Sequence, residues 1–150
     1  MNNAKFNQEG ITITGKFDVE KNVYIHQEVP NLIIVNYPEN VNLNMLEAIF
    51  NRIDKLNLLN FDKSEPFILI NNGTNFKSRP SAEVNHFTKS RTKDLENLHH
   101  IIFVAEQVPL FVKIGIKFTV GLFMRNKYTV VSCLDDAIAK ARSLNKKIIE

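Results

Sequence analysis

Apolar and polar positions change period several times along this chain, and each change marks an element. Residues 32–37 (LIIVNY) and 67–70 (FILI) are short continuous apolar runs, the pattern of strands buried on both faces. Residues 22–28 (NVYIHQE) precede the first run across Val29, Pro30 and Asn31, so the two segments read as an antiparallel hairpin. After Pro38, the residues Leu43, Leu46, Ile49, Phe50, Ile53 and Leu56 recur at spacings of three and four, one apolar face of a helix. Asn42 is its candidate N-cap, and Arg52, Asp54 and Lys55 fall on the other side. A second helix is predicted over residues 81–93, with Pro80 at its start and Ser78 or Ser81 as cap. Its apolar face is thin, chiefly Val84 and Phe87, so it should lie at the surface.

Residues 101–105 form the next buried strand and 128–132 (YTVVS) the last. A closing helix ends near Leu144, with Leu134, Ile138 and Ala141 on one face. Its charges follow the helix dipole, Asp135 and Asp136 first and Lys140, Arg142, Lys146 and Lys147 toward the end. The stretch between, residues 100–124, is the most apolar part of the chain. Residues 112–122 (VKIGIKFTVGL) alternate at every step, which alone argues for a strand. Against that, Pro109 suits a first helical turn, and Lys113 and Lys117 share one helical stripe. Two strands buried on both faces also need a crossover of helical length between them, so a helix is expected. Residues 1–10 are polar and Asn-rich, and 11–17 (ITITGKF) alternate around Gly15. The expected organisation is an N-terminal tail or extra strand over residues 1–20 and one domain over 21–150.

Composition narrows the class. The chain has 150 residues, 44% hydrophobic and 23% charged, enough for a single buried core of the soluble type. The net charge of +3 comes without a basic block, because Arg79, Lys89, Arg91 and Lys93 are interrupted by Ser, Thr and Asp. They read as a solvated helix face, and no nucleic-acid partner is expected. Cys133 is the single cysteine, which excludes a disulfide within the chain and a cysteine-based metal site. The N-terminus has no secretory apolar run, and a reducing, cytoplasmic location is expected. The apolar run 108–124 is short for a span and carries Lys113 and Lys117, so membrane insertion is not expected.

Candidate chemistry is sparse. His99 and His100 are adjacent, so on a strand they point to opposite faces and do not share a metal. Glu83 and His86 have a metal-ligand spacing without the further ligands that a bundle site needs. His26 lies on an edge strand with no nucleophile near it in sequence. No nucleophile elbow, phosphate loop or dinucleotide fingerprint is present. No enzyme activity, catalytic residue, cofactor or metal is therefore expected. Ser81 reads first as a helix cap. Its second reading is a regulated hydroxyl whose phosphate would meet the helix N-terminus and Arg79. Phe111, Ile114, Phe118 and Leu122 suit the face of a helix that covers the sheet, while Val112, Ile116, Val120 and Phe123 need a second dry environment. A deeply buried helix, a homodimer or partner surface, and the lid of an apolar-ligand pocket all meet that need.

The order of elements is strand, strand, helix, strand, helix, strand, helix, strand, helix. With LIIVNY, the capped VNLNMLEAIF, FILINNG, HIIFVAEQ and YTVVSCLDDAIAKA, it resembles the SpoIIAA-like group of STAS-type domains. The resemblance covers residues 23–144. It implies an α/β fold, a mixed β-sheet of about five strands with about four helices packed mainly on one face. It also implies a non-enzymatic bacterial regulatory module, akin to anti-sigma factor antagonists, that binds a kinase or regulator protein. Such antagonists carry an Asp-Ser-Ser or Asp-Ser-Thr-like turn after the central strand, and its serine, at the next helix N-terminus, is phosphorylated. Here the turn reads Asn71, Asn72, Gly73, Thr74, which departs from that motif. Thr74, Ser78, Arg79 and Ser81 are the candidate partner-binding or phosphorylated positions. The group also resembles apolar-ligand carriers of the CRAL-TRIO type, which implies a second reading as a lipid-like ligand carrier lined by Phe111, Ile114, Phe118 and Leu122.

Overall fold

A computed structural model of the chain describes residues 17–62, 65–77, 80–105 and 127–149. The expected strand at 11–17, Ser78, Arg79 and the expected helix at 108–124 with Phe111, Ile114, Phe118 and Leu122 lie outside the described residues, Phe17 excepted.

The hairpin and the apolar runs become a sheet. Its strands are β1 (Val23–Ile25), β2 (Leu32–Asn36), β3 (Phe67–Asn72), β4 (Leu98–Val104) and β5 (Tyr128–Val131). They lie in sequence order, β1 antiparallel to β2 and every later pair parallel. Among the described residues there are four helices: α1 (Val19–Asn22), α2 (Leu43–Asn60), α3 (Ala82–Lys93) and α4 (Leu134–Ile149). The α/β fold with a five-stranded mixed sheet is the one expected.

Register explains why the apolar runs are continuous. Ile33, Leu69, Ile101 and Tyr128 form one cross-strand row, and Ile34, Ile70, Ile102 and Thr129 form the next. Side chains alternate between faces, so the first row belongs to the core under α2 and α3. The second row belongs to the core under α4. Leu46, Ile49, Phe50, Ile53 and Leu56 are the buried face of α2, as their spacing required. Phe17 and Val19, before and within α1, pack against the same core. Three helices thus share one face, and α4 covers the other with Ala137 and Ala141, small enough to bring its backbone close to the sheet.

Local signals set most boundaries. Asn42 Oδ1 accepts the Met45 N–H at 2.9 Å, and Ser81 Oγ accepts the Val84 N–H at 3.1 Å, both N-caps. The α2–α3 contact is held by Arg91, whose guanidinium donates to Asp54 Oδ2 at 2.6 Å. The same group lies 5.3 Å from the Phe50 ring centroid and 5.8 Å from that of Phe87. Several boundaries differ from expectation: β1 is Val23–Ile25 rather than 22–28, β3 runs to Asn72 rather than 70, and β4 and α4 differ as well. β4 begins at Leu98 rather than 101, because Leu98 pairs with Phe67 and an irregularity in the ladder admits His99 before His100 resumes the register. α4 runs to Ile149 rather than 144. Asn145 interrupts its apolar pattern, yet it is only 3% exposed and its amide donates to the Pro30 carbonyl in the hairpin turn.

Candidate functional site

The polar side chains that the fold collects lie at the carboxyl ends of β2 and β3, beside the end of β4. β3 finishes with two asparagines on opposite faces. On the α2–α3 side, the buried Tyr37 hydroxyl donates to Asn71 Oδ1 at 3.2 Å, and burial pushes that phenol well above its ordinary range. On the α4 side, Asn72 Nδ2 donates to Asn36 Oδ1 at 2.8 Å. The same Asn72 presents Oδ1 to the Thr74 N–H at 3.2 Å and to the Thr74 hydroxyl at 2.5 Å. This is an Asx-type turn, a side chain standing in for backbone.

Gly73 makes the turn close. Its N–H donates to the Val104 carbonyl at 3.0 Å, which sews the turn to the end of β4. A Cβ at this position would sit 2.8 Å from Phe76 Cδ2 and 3.2 Å from the Val104 oxygen, so a side chain is excluded by approach. Phe76 in turn packs its ring on Tyr37, with centroids 5.4 Å apart. The Lys77 N–H donates to the Glu39 carbonyl at 3.0 Å, and its ammonium pairs with the Glu39 carboxylate at 3.3 Å on the surface. The turn at 73–77 is therefore tied to the segment after β2, to the end of β4 and to itself. It presents Thr74, Asn75 and Lys77 to solvent.

Of the candidate positions, Thr74 and Ser81 fall within the described residues. They differ in availability. The Thr74 hydroxyl is spent on Asn72. Ser81 is exposed at the head of a 12-residue helix, where its oxygen caps Val84 and the orphan amides of the first turn favour an anion. Sequence reasoning missed Tyr37, Asn36, Asn71 and Asn72 as a group. The available signal was that both parallel strands close on asparagine, followed once by glycine.

The histidines resolve into separate roles. His26 Nδ1 accepts the N–H groups of Glu28 and Val29 at 3.1 and 3.0 Å, closing the hairpin turn. His99 is exposed, whereas His100 is buried on the α4 face, as opposite pointing requires. His100 Nε2 lies 2.8 Å from Thr129 Oγ1. Its pKa is lowered to about 4, first by burial and then by the charges of His99 and Lys140. Glu83 and His86 are both exposed on α3. Among the described residues no three His, Cys, Asp or Glu side chains converge as a metal site, and no helix is long and apolar enough to cross a membrane. Comparison with protein-family models, with curated proteins and with solved structures returned no match.

Proposed function

We propose that the chain is a non-enzymatic, cytoplasmic regulatory module of the SpoIIAA-like, STAS type that acts by binding another protein. The observation that carries this reading is the exposed Ser81 at the N-cap of α3, the helix that follows the central strand β3. That is the place where the group resembled in sequence holds its regulatory hydroxyl. An antiparallel opening hairpin followed by parallel strands in sequence order supports the same reading. The contact face is the tied turn at 73–77 together with the first two turns of α3. A partner meets a surface already held in shape by Asn72, Gly73 and Phe76, so little ordering entropy is lost on binding. A phosphate on Ser81 would add about two negative charges at that face and change its complementarity to the partner.

The test places a photo-crosslinking residue at Asn75 or Glu83, with Leu58 as an exposed control at the far end of α2. Expressed in its native host, the protein should form one crosslinked species from Asn75 and Glu83 and none from Leu58. Ser81→Asp should reduce that species, while Ser81→Ala leaves it. Equal capture from all three positions, or none, removes the reading. A lipid-sized adduct retained in native mass spectrometry would favour an apolar-ligand carrier instead.

A further inference from the structure

The turn after β3 opens on a reactive pair, since Asn72 and Gly73 are the one Asn-Gly step in the chain. The fold requires both residues side by side. Asn72 shapes the turn by accepting the Thr74 N–H and hydroxyl, and Gly73 leaves room for Phe76 and the Val104 oxygen. In such a pair the glycine nitrogen has no side chain to hinder its approach to the asparagine Cγ, and ring closure there expels the amide as ammonia. Here the peptide between the two residues is clamped on both sides. Its carbonyl accepts the Tyr37 N–H at 3.0 Å, and its N–H donates to the Val104 carbonyl at 3.0 Å. The Asn72 side chain is held as well, with Nδ2 donating to Asn36 Oδ1 at 2.8 Å and Oδ1 engaged by Thr74. Ring closure turns this peptide plane about the Asn72 Cα–C bond, away from strand geometry, so both clamping bonds must break first. Asn72 is half-buried beside the exposed Thr74, so water reaches it once the turn lifts.

We infer that Asn72 is a deamidation site gated by the seating of the 73–77 turn on β4. While the turn is seated, the amide persists. When it lifts from Val104, the Gly73 nitrogen gives up its proton and bonds to Asn72 Cγ, and the Cγ–Nδ2 bond breaks to release ammonia. Water then opens the succinimide at either carbonyl, so the sum is water taken up and ammonia lost, with no change of oxidation state. Opening at Cγ leaves an aspartate at position 72. Its carboxylate still accepts from Thr74, and rotation of the Asn36 amide presents Nδ2 to it, so this product reseats. Opening at the main-chain carbonyl leaves an isoaspartate, whose backbone runs through Cβ and gains one carbon. The bonds to Tyr37 and Val104 then no longer form together at their present spacing, and the turn stays lifted. This chemistry belongs to the turn itself and holds whether or not a partner meets it.

The test incubates the full chain at mildly alkaline pH, folded and in urea, and follows amide-to-acid conversion by mass spectrometry with peptide mapping. Asn72 should be the first residue converted in both, at least about tenfold more slowly in the folded chain, because only the open fraction reacts. Phe76→Ala removes the ring packed on Tyr37 and should raise the folded rate at least about threefold while leaving the urea rate unchanged. Phe76→Leu, a milder loss, should fall between, and circular dichroism checks that each variant is folded. In hydrogen exchange, the isoaspartate fraction of aged protein should lose protection at the Gly73 amide, whereas Asn72→Asp keeps it. Equal rates folded and in urea, conversion mapped first to another asparagine of the folded chain, or a folded rate that neither variant changes would each overturn the inference.

Discussion

Acidification should weaken this fold through one buried ring, His100, and that contribution is separable from those of the carboxylates. In the unfolded chain the imidazole takes its proton near the ordinary value of 6.5, whereas in the folded chain it does so only near 4. The sign follows from which state binds the proton first. As the pH falls from 6.5 to 4 the unfolded state is protonated while the folded state is not, so unfolding is favoured over that window. Above 6.5 the contribution is fully present, and below 4 both states carry the proton and the loss stops. At 1.36 kcal/mol per pH unit, a window of 2.5 units sets an upper bound of about 3 kcal/mol. β5 is the last strand of the described sheet and its residues are only half-buried, so solvent screening brings the expectation to about 2 kcal/mol. The assay is urea unfolding at pH 7.5, 6.5, 5.5 and 4.5 for the wild type and for His100→Gln. Glutamine keeps a hydrogen-bonding group for Thr129 but does not titrate. The stability of the wild type relative to the variant should fall across the window, because carboxylate titration is common to both proteins. A difference that stays flat with pH, or one that grows as pH falls, would refute the reasoning. Lys140→Gln adds a check on cause, since it should raise the His100 pKa by less than full exposure of the ring would.

Two further outcomes are expected. Gly73→Ala forces Phe76 off Tyr37 or pulls the turn from Val104, at a cost of about 1–3 kcal/mol, read as a lowered thermal midpoint; an unchanged midpoint would show that the turn relaxes freely. Arg91→Ala removes a charge-assisted hydrogen bond to Asp54 and a cation held over two rings, a loss of about 1–2 kcal/mol in urea unfolding. Arg91→Lys should recover only part of it, and full recovery would mean that charge alone, not the planar fork, joins α2 to α3.

What was legible in the sequence was local. Asn42 and Ser81 announce helix starts because a cap needs only the next three residues. The runs 32–37 and 67–70 announce buried strands because both faces of each must be apolar whatever the topology. The misread ends were set by distant partners. Asn145 belongs to α4 because of a carbonyl at Pro30, and no helical periodicity reports a contact 115 residues away. His99 and His100 look like a polar entry to the strand, yet Leu98 before them is already paired with Phe67. The Tyr37–Asn71 bond, 34 residues apart, was likewise invisible until the parallel register of β2 and β3 was known.

That register also gives the candidate face a direction. The central row runs Ile34, Ile70, Ile102 and Thr129, apolar across the three middle strands. Two residues further on, the row reads Asn36, Asn72, Val104 and Val131. Polar character therefore enters only over β2 and β3, while the ends of β4 and β5 stay apolar on this face. Asn36 and Asn72 are spent largely on shaping the turn, Asn36 as acceptor for Asn72 and Asn72 as acceptor for Thr74. If the chain binds a partner as proposed, specificity has to come from what the turn displays, Asn75, Lys77 and the head of α3, rather than from the asparagines beneath it. Under that proposal, substituting Asn72 would act by loosening this display, and substituting Asn75 by changing the proposed contact itself.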